Sequence, residues 1–314
     1  MYEKLLERIK EYDNITVFRH QRPDGDSVFS AYALKEYIQH NFKDKNVRCL
    51  GEGIYDVYPL NDKVSDRFIS SSLAIILDCS NAERVDDQRF YKAKEILLID
   101  HHPKNSSTLN ADLEIRDIKA AATCEILARI FFSRSFKDLE MTKKCAELLF
   151  CGLLTDSNSF STASTTADTL IIGSRLIRIG DLKVSDLNDF VFAKDAKTFK
   201  QATQIRSKLK ISNGVGYIIL NDKDLKKIGM TPVEAKNCIN DLSQIKELKI
   251  WAIFAYNSEY DAYDGSIRSR REYVINDICS NYNGGGHKNA CGVKKLTLKK
   301  VKELVSILEG SLYS

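Results

Sequence analysis

Three short apolar runs in the first hundred residues constrain the fold most strongly, because acidic or histidine side chains closely follow each one. The runs are ITVF (15–18), LAIIL (73–77) and EILLI (95–99). Uninterrupted apolar runs of this length are typical of strands buried on both faces of a parallel sheet. Helical patterns follow at about 121–134, 141–154 and 166–180. Strands that alternate with helices predict an α/β layer fold.

The second part of the chain carries its own set of strand patterns. A polar, helical stretch over about 184–210 precedes the runs GYIIL (216–220), IWAIFAY (250–256) and DAYDGSIRSR (261–270). At 314 residues the chain is long enough for two domains. We predict a parallel-sheet N-terminal domain over residues 1–189, a linker helix over 190–210 and a smaller α/β C-terminal domain over 211–314.

Composition excludes several classes of protein. None of the eight cysteines forms a C-x-x-C pair, which argues against a zinc-finger knuckle or a thioredoxin motif and favours reduced core cysteines. The balance of 47 basic and 43 acidic residues is too even for a protein that coats duplex nucleic acid. The charged N-terminus MYEKLLERIKEYDN is untypical of a signal peptide, and no apolar stretch is long enough to cross a membrane. We therefore expect a cytoplasmic protein.

The polar residues that follow the apolar runs are expected to meet. His20 comes two residues after the first run, Asp78 directly after the second, and Asp100, His101 and His102 directly after the third. In open α/β sheets, ligands collect at the carboxyl ends of the strands. Asp78 by itself is typical of a turn or a helix cap, but turns and caps do not require so many histidines. The joint pattern predicts a functional site at this edge.

The donor types indicate metal ions. The stretch HQRPDGDS (20–27) adds Asp24 and Asp26, with Pro23 and Gly25 shaping the turn, and CGLLTDSNSFST adds Asp156. Carboxylates with imidazoles and no thiolate suit manganese, magnesium or zinc. These donors exceed the needs of one ion. Two ions bridged by a carboxylate are the arrangement that clamps an in-line displacement at phosphorus.

These motifs resemble a known family. H-x-x-P-D-G-D-S, the isolated Asp78, D-H-H and L-L-T-D, in this order, resemble the four motifs of the DHH phosphoesterase superfamily. GGGHKNACG (284–292) resembles the signature of the associated C-terminal domain, so the resemblance spans essentially the whole chain. It implies a metal-dependent phosphoesterase with two divalent ions, most often Mn²⁺, with Mg²⁺ or Zn²⁺ as alternatives.

The resemblance also implies roles for individual residues. The implied metal ligands are His20 and Asp24 for one ion, Asp26, His101 and Asp156 for the other, and Asp78 as the bridge. Asp100 would orient a ligand, and His102 would face the substrate phosphate as electrostatic stabiliser or general acid.

The glycine-rich stretch of the C-terminal domain predicts contact with the substrate. Glycine lets the backbone approach a ligand closely, although a glycine run also suits a flexible turn. An arginine fork matches phosphate oxygens. The residues predicted to bind substrate are Arg268, Ser269, Gly285, Gly286 and His287.

The resemblance implies small phosphate-bearing substrates. The favoured activity is hydrolysis of short oligoribonucleotides (nanoRNA) and of pAp, which makes the protein an oligoribonuclease with bisphosphate nucleotidase activity. A soluble cyclic di-AMP or pApA phosphodiesterase is the alternative, and a non-catalytic nucleotide-binding module is a weaker one. Ser161 stands where a basic residue is often found in this family. Neither a membrane nor a long nucleic-acid duplex is expected as a partner. The protein could form a homodimer.

Overall fold

The computed structural model describes residues 1–51, 62–104 and 107–313, and the chain divides into the two units Met1–Ala193 and Lys194–Ser314. The first unit contains a sheet of five parallel strands in the order β2-β1-β3-β4-β5. The strands are β1 (Asn14–Phe18), β2 (Asn46–Cys49), β3 (Leu73–Leu77), β4 (Glu95–Asp100) and β5 (Leu113–Arg116). The three apolar runs thus form β1, β3 and β4, as predicted.

Helices and short turns cover this sheet. The helices are α1 (Tyr2–Glu11), α2 (Gly25–Asn41), α3 (Asp66–Ser70), α4 (Thr123–Phe131), α5 (Lys143–Ser157), α6 (Ala167–Gly180) and α7 (Val184–Phe192). Ile75 of β3 packs in the same core as Leu34 of α2 and Leu149 of α5. The next residue, Ile76, packs on the opposite face in the core that contains Phe90. Because both faces are buried, the strands read as unbroken apolar runs.

The second unit is built on a mixed six-stranded sheet in the order β10-β11-β9-β8-β7-β6. The strands are β6 (Lys210–Ser212), β7 (Val215–Leu220), β8 (Ile250–Asn257), β9 (Ala262–Ser269), β10 (Gly284–His287) and β11 (Ala290–Leu296). Strands β7 and β8 are parallel, and the other neighbours are antiparallel. The α/β class predicted for both parts of the chain is confirmed.

The helices of the second unit divide between its two cores. They are α8 (Ala196–Arg206), α9 (Asp222–Ile228), α10 (Pro232–Asn237), α11 (Asn276–Ser280) and α12 (Leu298–Gly310). Residues of α11 and α12 pack in one core with Ala252 of β8, whereas residues of α8, α9 and α10 pack in the other core with Trp251. Ala202 and Ile205 of α8 are buried in that second core. A separate linker over 190–210 stays a prediction.

The GGGH stretch, for which the sequence also left a flexible turn open, forms a strand. Gly284–His287 forms β10, and its residues pair with Val293 to Ala290 of β11. A run of glycines shows no alternation of polar and apolar side chains, so the sequence could not distinguish this strand from a turn.

All eight cysteines are free and buried, in agreement with the composition. In the part of the chain that the structure describes, none of the helices combines the length and apolarity needed to cross a bilayer.

Candidate metal centre

The sheet brings together the residues at the ends of three strands. β1 and β4 both pair with β3, so His20, Asp78 and His101 leave the sheet at the same edge. His20 Nε2 lies 3.5 Å from Asp78 Oδ2, and His101 Nε2 lies 3.4 Å from Asp78 Oδ1. The convergence predicted from the sequence is thus what the strand order produces.

Asp78 lies at the centre of the site with each oxygen facing a different histidine. Its backbone has φ 57°, a left-handed conformation that costs a non-glycine residue about 1–2 kcal/mol. Its side chain is buried, and Thr123 Oγ1 donates a hydrogen bond to Oδ1 over 3.2 Å. The Asp78 carboxylate thus lies between His20 on one side and His101 on the other.

The start of α2 holds Asp24 and Asp26. Asp24 is the N-cap: its Oδ1 accepts the Ser27 N–H at 3.0 Å, and its Oδ2 lies 3.7 Å from His20 Nε2. Asp26 is buried, and its two oxygens accept the backbone N–H groups of Thr123 at 2.6 Å and Cys124 at 2.9 Å. Asp26 therefore stabilises the N-terminus of α4 while it faces the site.

Two glycines let α5 approach α2 and α4 closely enough to bring Asp26 and Asp156 together. A Cβ atom on Gly25 would lie 2.4 Å from Thr155 Cγ2, and one on Gly152 would lie 2.2 Å from Cys124 Sγ. Asp156, in the last turn of α5, has its Oδ2 3.3 Å from His101 Nε2. Asp156 reaches the other polar residues of the site because α5 packs this closely against its neighbouring helices.

Three clusters in the described residues have donor atoms within 4.8 Å of one another. They are His20, Asp24 and Asp78; Asp26, His101 and Asp156; and Asp78, His101 and His102. The first two are the ligand sets implied by the sequence resemblance, and the third connects them through Asp78.

Asp100 and His102 form a hydrogen-bonded pair beside these clusters. Asp100 is fully buried, and its Oδ1 accepts the backbone N–H of His102 at 3.1 Å and lies 2.8 Å from His102 Nδ1. The His102 side chain is 39% exposed, so the carboxylate holds a ring that solvent can reach.

The second unit places Arg268 on a sheet face lined by small residues. Arg268 lies across from Trp251 on one side and Ala290 on the other. In the next row on the same face, Gly292 lies between Gly285 and Ser266. Among the described atoms, a Cβ atom on Gly285 would contact nothing within 4 Å, and one on Gly292 would meet only a backbone oxygen at 3.7 Å. We call Arg268, Ser266, Gly285, Ala290 and Gly292 the small-residue face.

The hydrogen bonds of the Arg268 guanidinium go to backbone carbonyl groups. Its Nη1 donates to the carbonyl oxygens of Ile267 at 3.0 Å and Cys291 at 3.5 Å. Among the described residues, no carboxylate lies within ion-pair distance of its guanidinium. Burial lowers the pKa of Arg268, because the charged form is partly desolvated. A desolvated cation beside open space suits an anionic ligand.

The other predicted substrate residues lie in different settings. Ser269 belongs to the opposite sheet face, where its Oγ donates to Tyr273 O at 2.5 Å and accepts from Asn289 Nδ2 at 2.9 Å. Gly286 has φ 139°, and a Cβ atom there would lie 2.3 Å from Ala290 O. The side chain of His287 lies outside what the structure describes. Substrate contact at these three residues stays a prediction.

Comparison with known proteins decides the family. The family model "DHH family, N-terminal domain" matches residues 14–153, and the DHHA1 domain model matches residues 214–313. A relative in Streptococcus mutans, named probable bifunctional oligoribonuclease and PAP phosphatase NrnA, is 32% identical over 317 residues and 99% of each chain. The chain belongs to the DHH family.

Two further comparisons extend to more distant proteins. The cyclic-di-AMP phosphodiesterase PdeA of Listeria monocytogenes is 22% identical over 98% of this chain but only 49% of its own length. The crystal structure of an exopolyphosphatase-related protein from Bacteroides fragilis matches with a TM-score of 0.86 at 18% identity, over 100% of this chain and 97% of that chain. The latter shows a shared fold.

The charges of this DHH site suit bound cations. Burial alone would lower the pKa of His20 and of His101, but carboxylates, above all Asp24 and Asp78 for His20 and Asp78 for His101, raise each to about 10. Burial, with the charge of Asp78, raises the pKa of Asp26 to about 7, and burial with the nearby aspartates raises that of Asp156 well above its usual value. For Asp78, burial is outweighed by His101 and His20, which hold its pKa well below the usual range.

One buried atom tests the fit directly. His101 Nε2 is buried and makes no hydrogen bond to any described residue, although two carboxylate oxygens lie 3.3 Å and 3.4 Å away. Nitrogen and carboxylate donors that converge in this way fit a divalent cation. The residues present therefore fit the metal ions that the sequence predicted.

Sequence reasoning missed three polar residues at the site of this DHH protein. They are Ser80, Arg116 and Thr123. Ser80 lies two residues after Asp78, so its closeness in sequence to a predicted ligand could have indicated it. Arg116 and Thr123 reach the site only through the pairing of β5 with β4 and the packing of α4, which no local pattern reveals.

Proposed function

We propose that this protein is a metal-dependent phosphoesterase that hydrolyses short oligoribonucleotides and pAp. The observation that carries the proposal is the pair of histidine–carboxylate clusters joined at Asp78 beside the exposed ring of His102. The name of the relative in Streptococcus mutans, which matches over 99% of both chains, supports the same activity.

The clusters supply the ligands of two ions. His20, Asp24 and Asp78 would hold one ion, and Asp26, His101 and Asp156 the other, with Asp78 as the shared ligand. When bound, such ions neutralise phosphoryl charge and lower the pKa of water to make a nucleophile. We propose Mn²⁺ as the ion used, with Mg²⁺ and Zn²⁺ as alternatives that share this donor preference.

In the proposed reaction, His102 acts on the phosphate. Asp100 holds the Nδ1 side of the ring, and the side chain is 39% exposed, so that solvent reaches part of it. A ring fixed in this way stabilises charge on a phosphoryl oxygen or delivers a proton to the leaving oxygen. Asp100 acts through His102 by orienting it.

The small-residue face would bind another phosphate of the substrate. The guanidinium of Arg268 has no carboxylate partner among the described residues, and glycines 285 and 292 leave open space beside it. A dinucleotide or pAp carries phosphate groups of the kind that Arg268 would bind. We expect exonucleolytic action on short RNA rather than binding of long duplex nucleic acid. We also expect a cytoplasmic location. Both a monomer and a homodimer are compatible with this proposal.

The deciding experiment compares substrates in the presence of Mn²⁺. We expect kcat/KM to be highest for a five-nucleotide RNA, pApA and pAp, and much lower for cyclic di-AMP. A preference for cyclic di-AMP would favour the phosphodiesterase alternative instead. No turnover of any of these compounds would contradict the proposed enzyme and favour a nucleotide-binding module.

A further inference from the structure

A buried arginine lies beneath His102 at the end of β5. Arg116 pairs in register with Asp100, and its side chain is only 10% exposed. Its Nη1 donates to Ser80 Oγ at 2.8 Å, to Asp100 Oδ2 at 3.2 Å and to the carbonyl oxygen of His102. One guanidinium nitrogen thus contacts both residues of the Asp100–His102 pair.

The two oxygens of Asp100 have separate partners. Oδ1 faces the backbone N–H and Nδ1 of His102, whereas Oδ2 accepts from Ser80 Oγ and Arg116. A fully buried carboxylate needs a cation and hydrogen-bond donors on its remaining lone pairs. Arg116 and Ser80 supply them from the side opposite the imidazole.

The other end of Arg116 is fixed as well. Its Nε donates to Glu114 Oε1 at 2.6 Å, and Glu114 is also paired with Lys104 at 2.7 Å. Guanidinium geometry is rigid and planar, so two anchored edges determine where Nη1 points. Within the described part of the chain, the hydrogen bonds and ion pairs of Arg116 go to Glu114, Ser80, Asp100 and His102, and not to the ligand clusters that contain His20 and Asp156.

We propose that Arg116, assisted by Ser80, is a positioning residue that holds His102 through Asp100 and through the His102 carbonyl. The inference rests on the proposed function, in which His102 acts on the scissile phosphate. Without Arg116, Asp100 loses its cationic partner and becomes free to turn away from Nδ1. The His102 ring then loses both its orientation and the carboxylate that selects its Nδ1–H tautomer.

The first test is the variant Arg116→Ala with Arg116→Lys beside it. We expect kcat of Arg116→Ala on pAp to fall about 10- to 100-fold, as is usual when a supporting residue behind an active-site group is removed. KM should stay within about twofold, since the role belongs to the transition state. Added guanidinium ion should restore part of the lost kcat in Arg116→Ala and have no such effect on the wild type. Arg116→Lys should be intermediate, because a lysine restores charge without the fork.

Two readouts separate positioning from a structural role. Mn²⁺ affinity, measured by electron paramagnetic resonance, should be the same in Arg116→Ala and the wild type. Nitrogen-15 spectra of histidine-labelled protein should show the His102 Nδ1–H signal in the wild type and its loss or shift in Arg116→Ala, with His102→Gln as the assignment control. Arg89→Ala serves as a matched control, since Arg89 also pairs with two carboxylates, Asp66 and Asp87. It should leave every readout unchanged.

Several results would overturn the inference. These are wild-type kcat in Arg116→Ala, a parallel loss of Mn²⁺ affinity, and an unchanged His102 signal. If Arg116→Ala does not fold, Ser80→Ala decides: a smaller fall in kcat with an intact fold supports the inference, and full activity refutes it. A wild type that turns over no substrate would contradict the proposed function, yet the histidine spectra would still decide whether Arg116 positions His102.

Discussion

The metal centre and the small-residue face are built by opposite means. The metal centre concentrates buried charged side chains, with Asp26, Asp78 and Asp100 each almost fully buried. The small-residue face does the reverse, since Gly285 and Gly292 remove side chains and leave space around one arginine. The metal centre thus depends on the charged side chains that converge there, whereas the small-residue face depends on the absence of bulky side chains around Arg268.

The difference predicts how each site responds to substitution. In the metal centre, the donors depend on one another, so that a single change affects several contacts. On the small-residue face, an added methyl group meets empty space and should affect a ligand more than the fold. Substitutions in the metal centre should therefore lower kcat, and those on the small-residue face should raise KM.

The largest effect is expected at Asp78. Asp78→Ala should lower kcat/KM at least about 1,000-fold, equivalent to about 4 kcal/mol, because both clusters lose their shared carboxylate. Asp78→Asn is the matched variant, since asparagine tolerates the left-handed backbone at this position. Circular dichroism should show an intact fold in both. Near-normal turnover in either variant would contradict the bridging role.

A helix-crossing glycine should give the next largest effect. In Gly152→Ala the new methyl group would lie 2.2 Å from Cys124 Sγ and 3.1 Å from Asp26 Oδ1. Overpacking of this kind costs about 1–3 kcal/mol and should push α5, with Asp156, away from α4 and from Asp26 of α2. Thermal denaturation and Mn²⁺ titration measure the two consequences. Gly310→Ala, at a position with nothing within 4 Å, should leave both unchanged.

Removal of Arg268 should act on binding alone. Arg268→Ala should raise KM for pAp about 10- to 100-fold with little change in kcat, because a charge-assisted hydrogen bond contributes about 1.5–3 kcal/mol. The chain has one tryptophan, Trp251, which lies across from Arg268 on β8. Its fluorescence should respond to pAp in the wild type and not in the variant. An unchanged KM would place the second phosphate elsewhere.

The smallest effect is expected at Gly285. Gly285→Ala should keep the wild-type melting temperature and raise KM a few-fold, because the methyl group enters open space that we assign to substrate. Gly286→Ala is the contrast: its Cβ would collide with Ala290 O, and its backbone is left-handed, so it should lower the melting temperature. Equal loss of melting temperature in Gly285→Ala and Gly286→Ala would contradict the open space that we assign beside Gly285.

The meeting of these polar residues could be predicted from the sequence, because strand ends converge for a general reason. His20, Asp78 and His101 each follow an apolar run, and neighbouring parallel strands bring such positions together whatever the details of packing. Arg116 could not be found in this way, since its contact with Asp100 depends on the register of β4 and β5. A four-residue strand such as β5 carries too few residues to show a pattern.

The small-residue face was harder to predict for a related reason. A run of glycines has no alternation of side chains, so the sequence left a flexible turn open for β10, which pairs along its length with β11. Gly292 and Ser266 join Gly285 only across three strands. Ser269 neighbours Arg268 in sequence, but successive residues of a strand point to opposite faces, which separates their side chains.

Mn²⁺ binding to the wild type and to Asp78→Asn, measured together with turnover of pAp, tests the central claim most directly. Two ions per chain in the wild type, with weakened binding of both and loss of turnover in the variant, is the predicted result. A wild type that binds a single ion, or an Asp78→Asn variant that keeps two ions and full turnover, would contradict a two-ion centre bridged by Asp78.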